Sequence, residues 1–161
     1  MGVESHGVLA GTFVAWGEPA DLPPDQRGED ALCLALESGP LAEGVETLGF
    51  ADLELEVEVD RPAALVAVRL CDVDADGSSL QVARGVLNLA HRDGHEAPSP
   101  CVPGERIHTV IRLSFMAHAF TPGRRVRVAI SPTWWPHAWP SPEPVRLTVH
   151  GATLLLSLIH I

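Results

Sequence analysis

The stretch Leu53-Glu54-Leu55-Glu56-Val57-Glu58-Val59 decides the fold class. Leucines and valines alternate strictly with glutamates, a period of two that places all the apolar side chains on one face and all the acids on the other. Such a segment forms a strand packed on one side and wet on the other, the habit of antiparallel sheets. Three glutamates on one face repel each other, so a cross-strand arginine is expected beside them.

Working outward, the same texture recurs in Ala63–Leu70, Leu80–Leu89, Ile107–Phe115, Arg125–Ile130 and Val145–Val149. It is weaker in Gly11–Trp16, Leu32–Leu36 and Ala152–Leu156. Turn dipeptides punctuate these runs: Asp76-Gly77, Asp93-Gly94, Pro103-Gly104 and Pro122-Gly123. Each supplies backbone geometry that a chain reversal needs. Fourteen prolines and fourteen glycines leave little room for long helices. No alternation of strands with helices appears, nor any internal repeat. The expectation is one all-β domain, a sandwich or jelly roll of about eight or nine strands.

Composition excludes several classes. The net charge of −10 argues against a nucleic-acid partner, because phosphate binding requires basic patches. The one cationic cluster, Arg124, Arg125 and Arg127, alternates with Val126 and Val128 and reads as the solvated face of a strand first and as an anion site second. Cys33, Cys71 and Cys101 are odd in number and widely spaced, which suggests neither disulfides nor a zinc ribbon, and a reducing cytoplasm is expected. The start, Met1-Gly2-Val3-Glu4-Ser5-His6, lacks the basic region of a signal peptide. No apolar run reaches the ~20 residues of a membrane span.

The ends read differently from the middle. Residues 1–10 are expected to be a terminal or linker segment and 11–155 the sandwich. Leu156-Ser157-Leu158-Ile159-His160-Ile161 matches the translation of CTG-TCT-CTT-ATA-CAC-ATC, a transposase end sequence used as a sequencing adapter. Residues 156–161 are therefore expected to be a non-native tail, with His160 carrying no function; the alternative is an ordinary apolar terminal strand.

Four constellations could carry chemistry. Val3-Glu4-Ser5-His6-Gly7 resembles a nucleophile elbow, but Val3 stands where the motif has glycine and no strand precedes it; linker is the better reading of Ser5. Asp72-Val73-Asp74-Ala75-Asp76-Gly77 starts like an EF-hand calcium loop, yet the twelfth position, counted from Asp72, is Ala83. A β-hairpin with an Asp-Gly turn is preferred. His91 and His95 flank Asp93-Gly94, where a hairpin turn would splay them. Trp134-Trp135-Pro136-His137-Ala138-Trp139-Pro140 gathers three of four tryptophans in a loop. Trp134, Trp135 and Trp139 are candidates for a protein interface or a plug of the sandwich, with stacking on sugar rings as the alternative. His108, His118 and His150 are scattered and indicate nothing by themselves.

Taken in order, several segments resemble the C-terminal domain of the CocE/NonD and Xaa-Pro dipeptidyl-peptidase serine hydrolases. Asp25-Gln26-Arg27 with Asp30, Pro40-Leu41-Ala42-Glu43 and Gly49 resemble its start. Val68-Arg69-Leu70-Cys71-Asp72-Val73-Asp74-Ala75-Asp76-Gly77 is similar to its "RLxDVxPDG" hairpin, with Ala75 in place of proline, and Ala83-Arg84-Gly85 fits the strand that follows. Pro103-Gly104-Glu105 and His118-Ala119-Phe120-Thr121-Pro122-Gly123-Arg124-Arg125-Val126-Arg127-Val128 resemble "PGE…HxFxPGHRxRV", with Arg124 replacing histidine. Ser131 and the tryptophan stretch resemble the family's "SxxxxP" segment. The resemblance covers roughly Gly11 to Leu155. It implies a jelly-roll β-sandwich of the galactose-binding-like type. It also implies an α/β-hydrolase catalytic domain in the same parent chain as partner, buttressed by this domain along its cleft. No catalytic, cofactor-binding or metal-binding residue can be carried onto this chain. Sugar binding does not follow from the fold name. Substrate and oligomeric state stay open.

Overall fold

The computed structural model describes residues 6–12, 16–18 and 21–158. Two four-stranded antiparallel sheets face each other. The first is ordered β1 (Leu34–Glu37), β7 (Arg125–Ser131), β3 (Leu65–Val73), β4 (Ser79–Asn88). The second is built on β2 (Val45–Val59). On one side β2 pairs with β8 (Leu147–Leu158), and on the other with β5 (Arg106–Arg112) and then β6 (Met116–Phe120). The only α-helix among the described residues is the single turn α1 (Arg27–Asp30).

The alternation in β2 does what its period dictates. Leu53, Leu55, Val57 and Val59 lie inside with Val66, Val68, Leu70, Ile111, Phe120 and Ile130. The glutamates face out, and Glu56 meets the expected cross-strand arginine. Arg106 Nη1 lies 2.6 Å from Glu56 and His150 Nε2 lies 3.2 Å from Glu58, while Arg112 grips Asp52 through two 2.8 Å bonds. Lying at the solvent, these pairs are screened by water and salt and add little to stability.

Two expectations need correction. The run Ile107–Phe115 is not one strand. The chain turns a corner at 113–115, where Leu113 plugs the core and its N–H reaches the Ala51 carbonyl at 2.8 Å, then resumes as β6 along the same partner. Conversely, residues 147–149 of the run Val145–Val149 and Ala152–Leu156 belong to one strand, β8, which begins only at Leu147. Its register against β2 shifts between Glu56↔Gly151 and Val57↔Val149, so His150 is the extra residue of a β-bulge. Residues 156–158 are part of this strand, while 159–161 and the 13–15 part of Gly11–Trp16 lie outside the described residues. Gly11, Thr12 and Trp16 are not in a strand.

The Asp-Gly hairpin joins β3 to β4, with Gly77 at φ +86°. Two of its aspartates, Asp72 and Asp74, are held by side chains of this chain. Asp72 accepts from Arg124 Nε at 2.7 Å and lies 2.8 Å from His118 Nε2, and Asp74 pairs with Arg124. Where β4 meets β5 the flank is tightly closed: a Cβ on Gly85 would stand 2.8 Å from the Arg112 carbonyl oxygen.

Candidate docking surface

β3 is buried along its whole length, so the outer face of the first sheet must be covered as well. The cover is made of the turn at residues 6–10, α1 and the loop after β7. Ala10, Leu65, Ala67 and Trp134 form a small second core there.

Beneath this cover lies a layer of charge. Arg69, 2% exposed, projects outward from β3, donates from Nη1 to Gln26 Oε1 at 2.5 Å, and pairs through Nη2 with Asp30 at 2.9 Å. Asp30 also accepts from Ser79 Oγ and Arg127 Nη1, each at 2.7 Å. Arg127 in turn holds Glu37. Buried charges persist only when paired and hydrogen-bonded in this way.

His6 and Glu29 fasten the covering turn. The Glu29 carboxylate accepts from Gly7 N at 2.7 Å and Leu9 N at 2.9 Å. Gly7 has φ +106°, and a Cβ there would stand 2.3 Å from Trp134 Cδ1, so no other residue fits. His6 donates from Nδ1 to the Thr133 carbonyl at 2.8 Å, while its Nε2 faces Arg69 Nη2 at 3.3 Å. That arrangement requires a neutral ring accepting from the guanidinium. Burial first, and the Arg69 charge as well, push the His6 pKa down against the opposing pull of Thr133 and the nearby carboxylates. His137 is also lowered, by burial and then Arg84.

The sign of the resulting pH effect follows. The unfolded chain takes up protons at these histidines near the ordinary pKa of about 6.5, before the folded chain does. Stability contributed by the neutral rings is therefore present above that pKa and declines as pH falls below it. Urea unfolding between pH 7.5 and pH 5.5 is expected to show falling stability, with a shallower slope in His6→Asn. An unchanged slope in that variant would remove His6 from the account.

The structure separates the three candidate tryptophans. Trp134 is 4% exposed beneath the Arg84 guanidinium, which lies 5.4 Å from its ring centroid, and its Nε1 has no hydrogen-bond partner among the described residues. Trp135 is 39% exposed and Trp139 81%. Trp135 N donates to the His6 carbonyl at 2.9 Å and Ala138 N to the Trp134 carbonyl at 2.8 Å, so the loop is fixed at both points. Trp139, Pro140, Ser141 and Pro142 form a ridge between two apolar clefts. One, of about 510 Å³, is floored by Leu65, Val86 and Ala138, and the other is bounded by Trp135. The Trp135 and Trp139 rings meet edge to face at 76°.

Other expected sites fall elsewhere. Ser5 lies outside the described residues. His91 and His95 are not splayed. The Leu89–His91 3₁₀ turn folds the loop back so that their Nδ1 atoms stand 3.2 Å apart on the surface. Sequence reasoning overlooked Arg69 and His6. A lone arginine in the apolar run Ala63–Leu70 was the available signal for the first, whereas nothing local marks the second.

Comparison with known proteins agrees with this architecture. Residues 4–160 match the family model described as the X-Pro dipeptidyl-peptidase C-terminal non-catalytic domain. The chain is 27% identical over 118 residues to cocaine esterase of Rhodococcus and 28% over 125 to a serine esterase of Mycobacterium bovis. Those stretches cover 73% and 67% of this chain but only 20% of each relative. Among solved structures, an aminopeptidase from a marine-sediment thaumarchaeon superposes with TM-score 0.78 at 19% identity, over 92% of this chain and 30% of that one. An α-amino acid ester hydrolase gives 0.77 at 21%, over 87% and 28%. The chain belongs to the X-Pro dipeptidyl-peptidase C-terminal non-catalytic domain family, the β-sandwich domain of CocE/NonD-type hydrolases.

Proposed function

We propose that this domain buttresses the α/β-hydrolase catalytic domain of its own parent chain and helps wall that domain's cleft, docking through the ridge that carries Trp135 and Trp139. The parent cleaves ester or peptide bonds with an activated serine through an acyl-enzyme. The supporting relatives are named as esterases, an ester hydrolase and an aminopeptidase. The jelly-roll topology of the galactose-binding-like type and a reducing, cytoplasmic setting belong to the same reading.

The observation that carries the docking role is Trp139, 81% exposed on a loop tied down from within. A large aromatic held rigidly in water suits a hot spot that loses little entropy when covered. A glycan platform needs coplanar rings, and the 76° between Trp135 and Trp139 opposes that alternative. The isolated domain is expected to bind a fluorescent dye for apolar surface, and to lose most of that signal in a Trp135→Ser/Trp139→Ser variant. A chain that binds no dye, or a variant that binds as much as the parent sequence, would contradict the docking role. Soluble glycans are expected to leave tryptophan fluorescence unquenched.

A further inference from the structure

We propose that His91 and His95 form a surface site for a divalent transition-metal ion of the zinc or copper kind, held by the two ring Nδ1 atoms. The inference is independent of the docking role assigned to the tryptophan ridge.

The spacing of the rings carries the argument. Their Nδ1 atoms stand 3.2 Å apart and their centroids 5.1 Å apart. Zinc–imidazole bonds of ~2.0–2.1 Å to one tetrahedral ion set two ring nitrogens ~3.3 Å apart and the two ring centroids ~5 Å apart. The pair agrees with both distances and needs little movement to share an ion. Without an ion the same atoms make a single hydrogen bond, one Nδ1 donating and the other accepting. A bound ion takes both Nδ1 lone pairs and leaves the ring protons on Nε2.

The loop itself builds this approach. Leu89, fully buried, anchors its start, and Asn88 Oδ1 accepts from Ala90 N at 3.0 Å. Arg92 Nη1 donates to the Leu89 carbonyl at 2.9 Å and to the Ser99 carbonyl at 3.0 Å, while Ser99 N donates to the Ala90 carbonyl at 2.8 Å. These bonds clamp the two ends of the loop together. Gly94, at φ +133° and with its N–H on the His91 carbonyl at 3.1 Å, reverses the chain between the histidines. Rings four residues apart thus converge without a helix, and a site held ready in this way costs less to fill.

Charge and ligand chemistry select the ion. The Arg92 guanidinium is turned to those carbonyls and to Asp93, 3.4 Å from its Nε. Asp93 and Glu96 are exposed in the same loop, and the chain carries a net charge of −10. Imidazole nitrogen suits zinc and copper, whereas calcium and magnesium take oxygen. No third His, Cys, Asp or Glu among the described residues converges on the pair, so water completes the coordination.

Zinc chloride is the probe. Calorimetric titration of the 161-residue chain is expected to show saturable zinc binding. His91→Gln and His95→Gln are each expected to weaken it at least about tenfold, the lower end of what losing even an outer partner of a metal ligand costs. His150→Gln, which alters a ring paired with Glu58 on the second sheet, is expected to leave it unchanged. Zinc is also expected to raise the urea midpoint of the wild-type chain and not that of His95→Gln. A wild-type chain that binds no zinc overturns the proposal. So does binding that survives the loss of His91 or of His95, or binding abolished by His150→Gln. The dye-binding result for the tryptophan ridge stands or falls separately from all of these.

Discussion

Replacing Arg69 with methionine is expected to lower the unfolding free energy by about 3–5 kcal/mol, the usual cost of removing one partner from a buried ion cluster. The guanidinium is the hub of the charged layer on the first sheet, touching Gln26, Asp30 and His6 at once. Methionine fills much of the space but leaves the Asp30 Oδ1 side of the carboxylate buried with its cation gone. Arg127 still serves the other oxygen, so the loss is partial at that residue and the fold weakens rather than reorganises. Equilibrium urea unfolding measures this directly. Adding Asp30→Asn to Arg69→Met is expected to recover part of the loss, because the stranded charge disappears. A loss below 1 kcal/mol would mean that the layer is solvated and contributes little.

The second large effect separates tryptophans that look equivalent in sequence. Trp134→Ala is expected to cost about 3–5 kcal/mol, as for other large-to-small core substitutions of aromatics. Trp139→Ala is expected to fall within about 0.5 kcal/mol of the parent chain, since its ring touches mostly water. The first removes the centre of the cluster formed with Ala10, Leu65 and Ala67, and with it the seat of the 6–10 turn. The second removes a surface that the proposed docking role assigns to a partner. Equal costs for the two substitutions would contradict the division of the loop into plug and ridge.

The fold was largely legible because its signal is local. Period-two alternation in Leu53–Val59 and the Asp76-Gly77 turn act over a few residues, and the structure follows both. Strand limits were harder, since they depend on the partner. β2 is long enough to carry β5 and β6 end to end, so the break at 113–115 is imposed by β2 and has no local marker in Ile107–Phe115. The bulge at His150 is likewise a property of the pairing. The candidate docking surface was half legible. Composition flagged Trp134, Trp135 and Trp139 together, but which ring turns inward is decided by Gly7 and His6, over a hundred residues earlier in the chain. Arg69 was readable as an anomaly in an apolar strand, whereas its partners come from two distant segments, the turn at His6 and the stretch from Gln26 to Asp30.

Non-catalytic support of a hydrolase domain is the central claim. Its most direct test is to treat the purified chain with a fluorophosphonate probe and read its intact mass. The predicted result is an unmodified mass, because the family model matched over residues 4–160 is that of a non-catalytic domain. A single stoichiometric adduct mapped to Ser5 would contradict it and make the chain a serine hydrolase in its own right.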